Sequence, residues 1–287
     1  MLRNEQNVKF GEIIRNVPHC WDMVCAIYVL GNSQHRVLLM VINIQKEGDW
    51  VKVRRMLKCL AACALAAALC FCGGALIKGY YMYRAAIEEV CLEDKVSAIQ
   101  AKENYTAFDQ LPEIYVDAVL SVEDHRFYSH LGIDVIAIAR AAFNDIRAGA
   151  FVEGGSTVTQ QLAKNLYFTQ EKELERKVAE MFLAFDLERS YSKNEILELY
   201  VNTIYFGNGY YCVGDASQGY FGKEPEDRTD DESTLLAGVP NAPSCYAPTV
   251  SPRLAAQRQA QVVARMVKCG YFTEERAHET LAAEIDW

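Results

Sequence analysis

The sequence has no CxxC pair, no internal repeat, few strand signals and no concentrated basic face. Its ten cysteines are scattered along the chain, so neither a metal-binding nor a redox motif is supported. Lysine and arginine together number 29 against 38 aspartates and glutamates, a net charge of -9. This balance argues against a nucleic-acid partner, because phosphate neutralisation needs clustered cations. Any anionic ligand must instead meet a local group of positive charges. The single SxxK match, Ser190 with Lys193, has no SDN or KTG partner downstream, so penicillin-type acyl-enzyme chemistry is not supported.

What is present is enough for a real core: 287 residues, 51% of them hydrophobic, allow one large or two small domains. From Cys59 to Ile77 there is no charged residue, and a helix of that length spans roughly the ~30 Å hydrocarbon thickness of a bilayer. Lys52, Arg54, Arg55 and Lys58 precede this run, and Tyr80, Tyr81 and Tyr83 follow it. The pattern predicts an uncleaved membrane anchor with a cytoplasmic N-terminus, an interfacial aromatic belt and an exported C-terminal part. A signal peptide cut near Ala66 to Ala68 is the alternative, but the apolar run exceeds the usual length for one. Cys59, Cys63, Cys70 and Cys72 lie inside the run as small hydrophobes, whereas Cys91, Cys212, Cys245 and Cys269 are open to pairing after export.

The chain is thereby divided into an extension (1–55), the anchor (56–83), a polar-charged helical linker (84–104) and an exported domain (105–287). The extension carries neither targeting signature nor motif, and a start at Met56 would give a conventional anchored protein. In the exported part the periodicity predicts helices over 134–148, 157–167, 172–190, 193–202, 229–239 and 252–268, with a further helix opening at Pro112 and ending near Glu123.

Four clusters carry candidate chemistry. In "SVEDHRFYSHLGID" (121–134), Glu123 and Asp124 sit at a helix end beside aromatics, where a carboxylate with a raised pKa can exchange protons near neutrality. A solvated helix end with a Glu123–Arg126 ion pair explains the same letters, and His125 and His130 read as structural residues more readily than as metal ligands. In "EGGSTVTQQLAKN" (153–165), Gly154 and Gly155 permit close backbone approach, Ser156 or Thr157 caps a helix, and its free N–H groups with Lys164 suit an anion. In "EKELERKVAEMFLAFDLERS" (171–190), the expected core stripe is Leu174, Val178, Met181 or Phe182, and Phe185. Glu180 falls off it, beside Arg176 and Lys177, as either a surface ion pair or part of a diphosphate site. "SKNEILELYVNTIYFG" (192–207) opens with a Ser192–Glu195 capping box and buries Ile196, Leu199 and Tyr200.

Taken together, residues from about 105 to 270 resemble the peptidoglycan glycosyltransferase domain, glycosyltransferase family 51, of bifunctional penicillin-binding proteins and monofunctional transglycosylases. "EDHRFYSHLG" (123–132) fits the first family motif, "GGSTVTQQ" (154–161) the second with Val158 for the usual isoleucine, "RKVAE" (176–180) the third and "KNEILELYVN" (193–202) the fourth. "YFGK" (220–223) and "LAGVPNAPSCYAP" (236–248) complete the set. One segment departs from the family: Cys212, Gly214 and Asp215 stand where glycine, Glu or Gln, and alanine are usual. No transpeptidase signature is present, so the resemblance is to the monofunctional type, with a truncated bifunctional protein as the alternative.

The resemblance implies a mainly α, lysozyme-like, two-lobed helical domain on a single N-terminal transmembrane helix, set against the outer leaflet and polymerising lipid II with inversion. Glu123 is then the general base toward the acceptor 4-hydroxyl, and Glu180 the second acidic residue of the cleft. Ser156, Thr157, Gln161, Lys164, Lys172, Arg176 and Lys177 hold donor sugar and diphosphate, while Val135 to Phe151 correspond to the membrane-touching jaw. No cofactor is required by this resemblance, although Mg²⁺ or Mn²⁺ on the diphosphate is compatible with it. The implied partners are lipid II, the growing lipid-linked glycan, the membrane and other cell-wall synthesis proteins. A lysozyme-like glycosidase and a non-catalytic lipid II-binding scaffold are the competing readings.

Overall fold

The computed structural model describes residues 47–150, 154–168 and 174–283. The extension over 1–46 and Lys172 therefore lie outside the described residues. Two units are distinguished, 1–71 and 72–287. In the first, the described residues form the beginning of helix α1 (Glu47–Glu89), with Trp50, Leu60, Leu65, Leu69 and Phe71 all exposed. The stretch Trp50–Glu89 is long and apolar enough to cross a membrane.

The second unit is helical, and among the described residues no strand occurs, only one isolated bridge between Gly207 and Tyr210. After the end of α1 come α2 (Leu92–Gln100), α3 (Glu113–Glu123), α4 (Val135–Ala148), α5 (Val158–Tyr167), α6 (Leu174–Ser190) and α7 (Lys193–Val201). They are followed by α8 (Val213–Phe221), α9 (Asp230–Gly238), α10 (Pro243–Tyr246), α11 (Pro252–Cys269) and α12 (Glu274–Ala282). α3 packs with α9 and α11, and α5 packs with α6 and α7. One continuous core joins them through Tyr115, Leu120, Phe127, Leu162, Leu187, Leu197, Tyr200 and Leu235. The last residue of α3 is Glu123, so the core fixes the height at which that carboxylate emerges.

Local chemistry explains why the helices start where they do. Thr157, Ser192 and Thr229 each accept from the backbone N–H three residues on, while Gln160, Glu195 and Glu232 reach back as reciprocal caps. Asp134 caps α4 by accepting from Ala137 N at 2.9 Å. Six helices read from periodicity are present with ends shifted by one or two residues.

Two expectations need correction. The helical linker read over 84–104 is also part of the core: the chain turns after Glu89, and Leu92, Val96 and Ile99 of α2 are buried in it. The buried face of α6 is Val178, Ala179, Glu180, Leu183, Ala184 and Leu187, while Leu174 and Phe185 are exposed. The periodicity misled because α6 carries apolar residues on a second side, where Phe182 stacks on Tyr83 at 5.7 Å and meets Tyr80 edge-on at 5.4 Å. Cys91, Cys212, Cys245 and Cys269, whose pairing the sequence left open, are free thiols.

The segment that departs from the family pattern forms α8, a helix that Gly214 and Gly219 disguise in sequence. A side chain on Gly214 would collide with Asn104 O and lie 3.1 Å from Thr106 Oγ1, so the close approach of residues 104–106 requires glycine. Asn104 Nδ2 donates to Asp215 Oδ1 at 2.5 Å, and Cys212 Sγ caps the helix by accepting from Asp215 N at 3.3 Å. The three substitutions therefore act as one local packing arrangement, remote from Glu123 in sequence.

Candidate active site

The loop from α3 to α4 is pinned to the start of α5. Val158 N–H donates to Asp124 Oδ2 at 3.1 Å, and His130 Nε2 lies 2.9 Å from the same oxygen. Arg126 pairs with Asp134. The Thr157 hydroxyl donates to Gly132 O at 2.6 Å while accepting from Gln160 N at 3.1 Å. Gly132 has φ +84° and would need a Cβ 3.1 Å from Ala184 O, so only glycine places this carbonyl correctly. Thr157 is 2% exposed with its hydroxyl committed on both sides, which makes it a cap and strut inside the site wall. His130 serves Asp124, and among the described residues no group of three metal-ligating side chains occurs.

On this frame Glu123 is partly accessible and receives Gln161 Nε2 at 2.7 Å on Oε2. Burial is the main reason its carboxyl is pushed above the usual range, with the Asp124 charge acting in the same direction. The Gln161 donation and the charges of Arg258 and Lys164 pull it partly back. The alternative reading, an ion pair of Glu123 with Arg126, is not formed, because Arg126 turns to Asp134. Glu123 is thus a carboxylate poised to take up a proton.

Beside it lies a cation cluster. Glu180, 1% exposed, binds Arg176 through one oxygen and Lys177 through the other, the latter at 2.8 Å. Lys177 Nζ also donates to Ser156 Oγ at 2.7 Å. Among the described residues Lys164 makes no hydrogen bond or ion pair, yet it is electrostatically coupled to Glu180, Arg176, Lys177 and Glu123. Burial, reinforced by the two neighbouring cations, holds its ammonium below the usual range. Such an ammonium gains most from an incoming anion. Both Glu180 oxygens are engaged by cations, so a divalent cation here would rest chiefly on its substrate's phosphates.

Glu123, Gln161, Lys164, Ser156, Arg176, Lys177 and Glu180 are therefore brought together, whereas Thr157 lies behind them. Two neighbours of Glu123 were not singled out as functional: Arg258 on α11, and Tyr200 of α7, whose hydroxyl donates to Gln161 Oε1 at 3.3 Å. A signal for Arg258 existed, since no acidic residue stands three or four positions from it on its own helix.

The transglycosylase family profile matches residues 93–267, extending upstream of the boundary expected at 105 and taking in α2. Penicillin-binding protein 1A of Aquifex aeolicus is 47% identical over 180 residues, covering 63% of this chain and 25% of that protein. Penicillin-binding protein 1A of Neisseria flavescens is 42% identical over 188 residues (66% and 24%), and penicillin-binding protein 1F of Bacillus subtilis 44% over 171 residues (60% and 24%). The chain spans about a quarter of the length of these curated relatives. A partly accessible carboxyl group beside a preassembled cation cluster on a helical frame, together with a match over more than half its length, shows that the chain belongs to the transglycosylase family, the peptidoglycan glycosyltransferases of glycosyltransferase family 51.

Proposed function

We propose that this chain polymerises lipid II. The observation that carries the reading is the position of Lys164, coupled at once to Glu123 and to the Arg176–Lys177–Glu180 cluster, so that base and leaving-group site share one charged neighbour. Glu123 accepts the proton of the acceptor sugar's 4-hydroxyl. The resulting oxygen attacks the donor's anomeric carbon from the opposite face, and the bond from that carbon to the diphosphate breaks. Its electron pair stays on the lipid diphosphate, whose charge Lys164, Arg176 and Lys177 neutralise. Ser156, held by Lys177, and Gln161 line the donor side, and Glu180 orients the two cations it binds.

An inverting glycosidase needs a second carboxyl group about 6.5–9.5 Å from the first, able to serve a neutral leaving group. Here the other carboxylate of the cluster is consumed by two cations, an arrangement suited to an anionic leaving group. A non-catalytic scaffold has no use for a base with a raised pKa. The reading further places α1 across the membrane with its N-terminus in the cytoplasm and the catalytic unit on the outer face. It also sets the exposed apolar side of α4 in the outer leaflet, lipid-linked glycan as product, and other cell-wall synthesis proteins as partners. Incubation with labelled lipid II, and separately with finished glycan strands, tests it: polymer from the first supports the proposal, fragments from the second with none from the first defeat it.

A further inference from the structure

We propose that Tyr200 and Gln161 act as a positioning pair that holds the Glu123 carboxylate in its reactive orientation. Tyr200 lies on α7, 1% exposed, and its hydroxyl has a single partner among the described residues, Gln161 Oε1 at 3.3 Å. Gln161 lies on α5, and its Nε2 donates to Glu123 Oε2 at 2.7 Å. The polarity of this chain is set by its ends. An ionised carboxylate only accepts, so the amide nitrogen must face Glu123 and the amide oxygen must face Tyr200, leaving the phenol as donor. Burial keeps the phenol far above its ordinary pKa, so it remains a donor at every pH the enzyme meets.

Two consequences follow for Glu123. Oε2 is occupied, and among the described residues Oε1 makes no hydrogen bond, which leaves that oxygen for the acceptor hydroxyl. The donated hydrogen bond also favours the ionised carboxylate over the carboxylic acid, because a charged oxygen is the stronger acceptor. It therefore opposes the burial that otherwise keeps the proton on Glu123. The other groups facing Glu123 are Asp124 at the end of α3, Lys164 on α5 and Arg258 on α11, with Tyr115 of α3 and Tyr200 itself on the buried side. Tyr200→Phe removes one phenolic oxygen and leaves the other groups in that set chemically unaltered, so it isolates the relay. Tyr200 touches no reacting atom, and Gln161 acquires a duty toward the base in addition to any contact with donor sugar.

This inference rests on the reading of Glu123 as general base, and its test uses the full chain in detergent micelles. The rate of lipid II polymerisation is measured from pH 5 to 9 for the unaltered protein, Tyr200→Phe and Gln161→Leu. In parallel, Glu123 is titrated in ¹³C-carboxyl-labelled protein without substrate, with Glu123→Gln identifying its signal. The expected result for Tyr200→Phe is a kcat lowered about tenfold with little change in KM. The acid limb and the Glu123 titration should both move to higher pH. Gln161→Leu should move the acid limb and the Glu123 titration further, with a rise in KM of its own from the donor side, and it carries the test if Tyr200→Phe does not fold. A raised KM with the acid limb and the titration unmoved would overturn the proposal and leave Gln161 as a donor-sugar ligand only. Absence of polymer from the unaltered protein would refute the proposed activity, while the substrate-free titration would still decide the positioning role.

Discussion

Lys177 Nζ donates to Ser156 Oγ across 2.7 Å, tying the loop ahead of α5 to the second turn of α6. The same nitrogen is held 2.8 Å from Glu180, so the loop is fastened to a cation that is itself fixed. Gly155 lets this loop lie against α4, where an added Cβ would stand 3.1 Å from Ile138 Cα. Three cations, Arg176, Lys177 and Lys164, surround one buried carboxylate, leaving a local surplus of two positive charges (3 − 1). That surplus matches the two charges of the donor's diphosphate diester, and the groups carrying it need little rearrangement when further charge develops on the leaving group.

Glu180→Gln tests this preorganisation. The amide keeps the volume but removes the negative charge that Arg176, largely buried, shares with Lys177. Breaking one side of a buried pair should cost about 3 kcal/mol of stability. Thermal unfolding should register the loss, and the KM for lipid II should rise because the cations are no longer aimed. Unchanged unfolding and unchanged KM together would show that the cluster orders itself without Glu180.

Lys164→Ala removes the one cation of the cluster that has no protein partner among the described residues. A charge-assisted contact to phosphate contributes about 1.5–3 kcal/mol, so donor affinity should fall roughly 10- to 150-fold. The unaltered protein should lose affinity with added salt more steeply than the variant. Titration with a lipid diphosphate at two ionic strengths measures both, and equal affinities would remove Lys164 from the diphosphate site.

Glu123→Gln should lower polymerisation by at least about 10²-fold while leaving lipid II binding in place. The raised pKa of Glu123 also fixes the pH profile. Activity requires the ionised form, so it should fall on acidification through a limb above the ordinary carboxylate range. The stability effect has the opposite sense. In the folded chain Glu123 holds its proton to higher pH than in the unfolded chain, so its contribution to stability is greatest in acid and declines as pH rises through the interval between the two pKa values. Glu123→Gln should therefore unfold at a higher temperature than the unaltered protein at neutral pH, and this advantage should vanish below the unfolded carboxylate pKa. A stability gap independent of pH would show that the carboxyl is not perturbed by folding.

Much of this site was legible in the sequence because its residues are placed by local rules. The α5 cap at Thr157, the reciprocal Gln160 and the i+3 and i+4 spacing of Glu180 from Lys177 and Arg176 all follow from helix geometry within a few residues. What stayed hidden is long-range. Arg126 stands three residues after Glu123, yet pairs with Asp134, and nothing local forecasts that choice. Tyr200 reads as an ordinary core residue until α5 and α7 are packed together, since its partner Gln161 is 39 positions away. The burial of Glu180 was missed for the same reason: α6 is covered on two sides, and one hydrophobic stripe cannot report two neighbours.

α4 presents the last testable feature. Its single buried residue is Ala141, while Val135, Ile136, Phe143 and Ile146 are exposed, Ile146 at 82%. A helix this apolar on its open side is stable in water only at some risk of association, whereas contact with acyl chains removes the exposed area from water. Phe143→Ser combined with Ile146→Ser deletes apolar surface without touching the core, so the fold and its melting temperature should be preserved. In vesicles the double variant should polymerise full-length lipid II several-fold more slowly than the unaltered chain. With a short-chain, water-soluble lipid II analogue the two should differ little, because that substrate reaches the cleft without passing through the bilayer. Equal rates on both substrates would show that α4 does not engage the membrane during substrate entry.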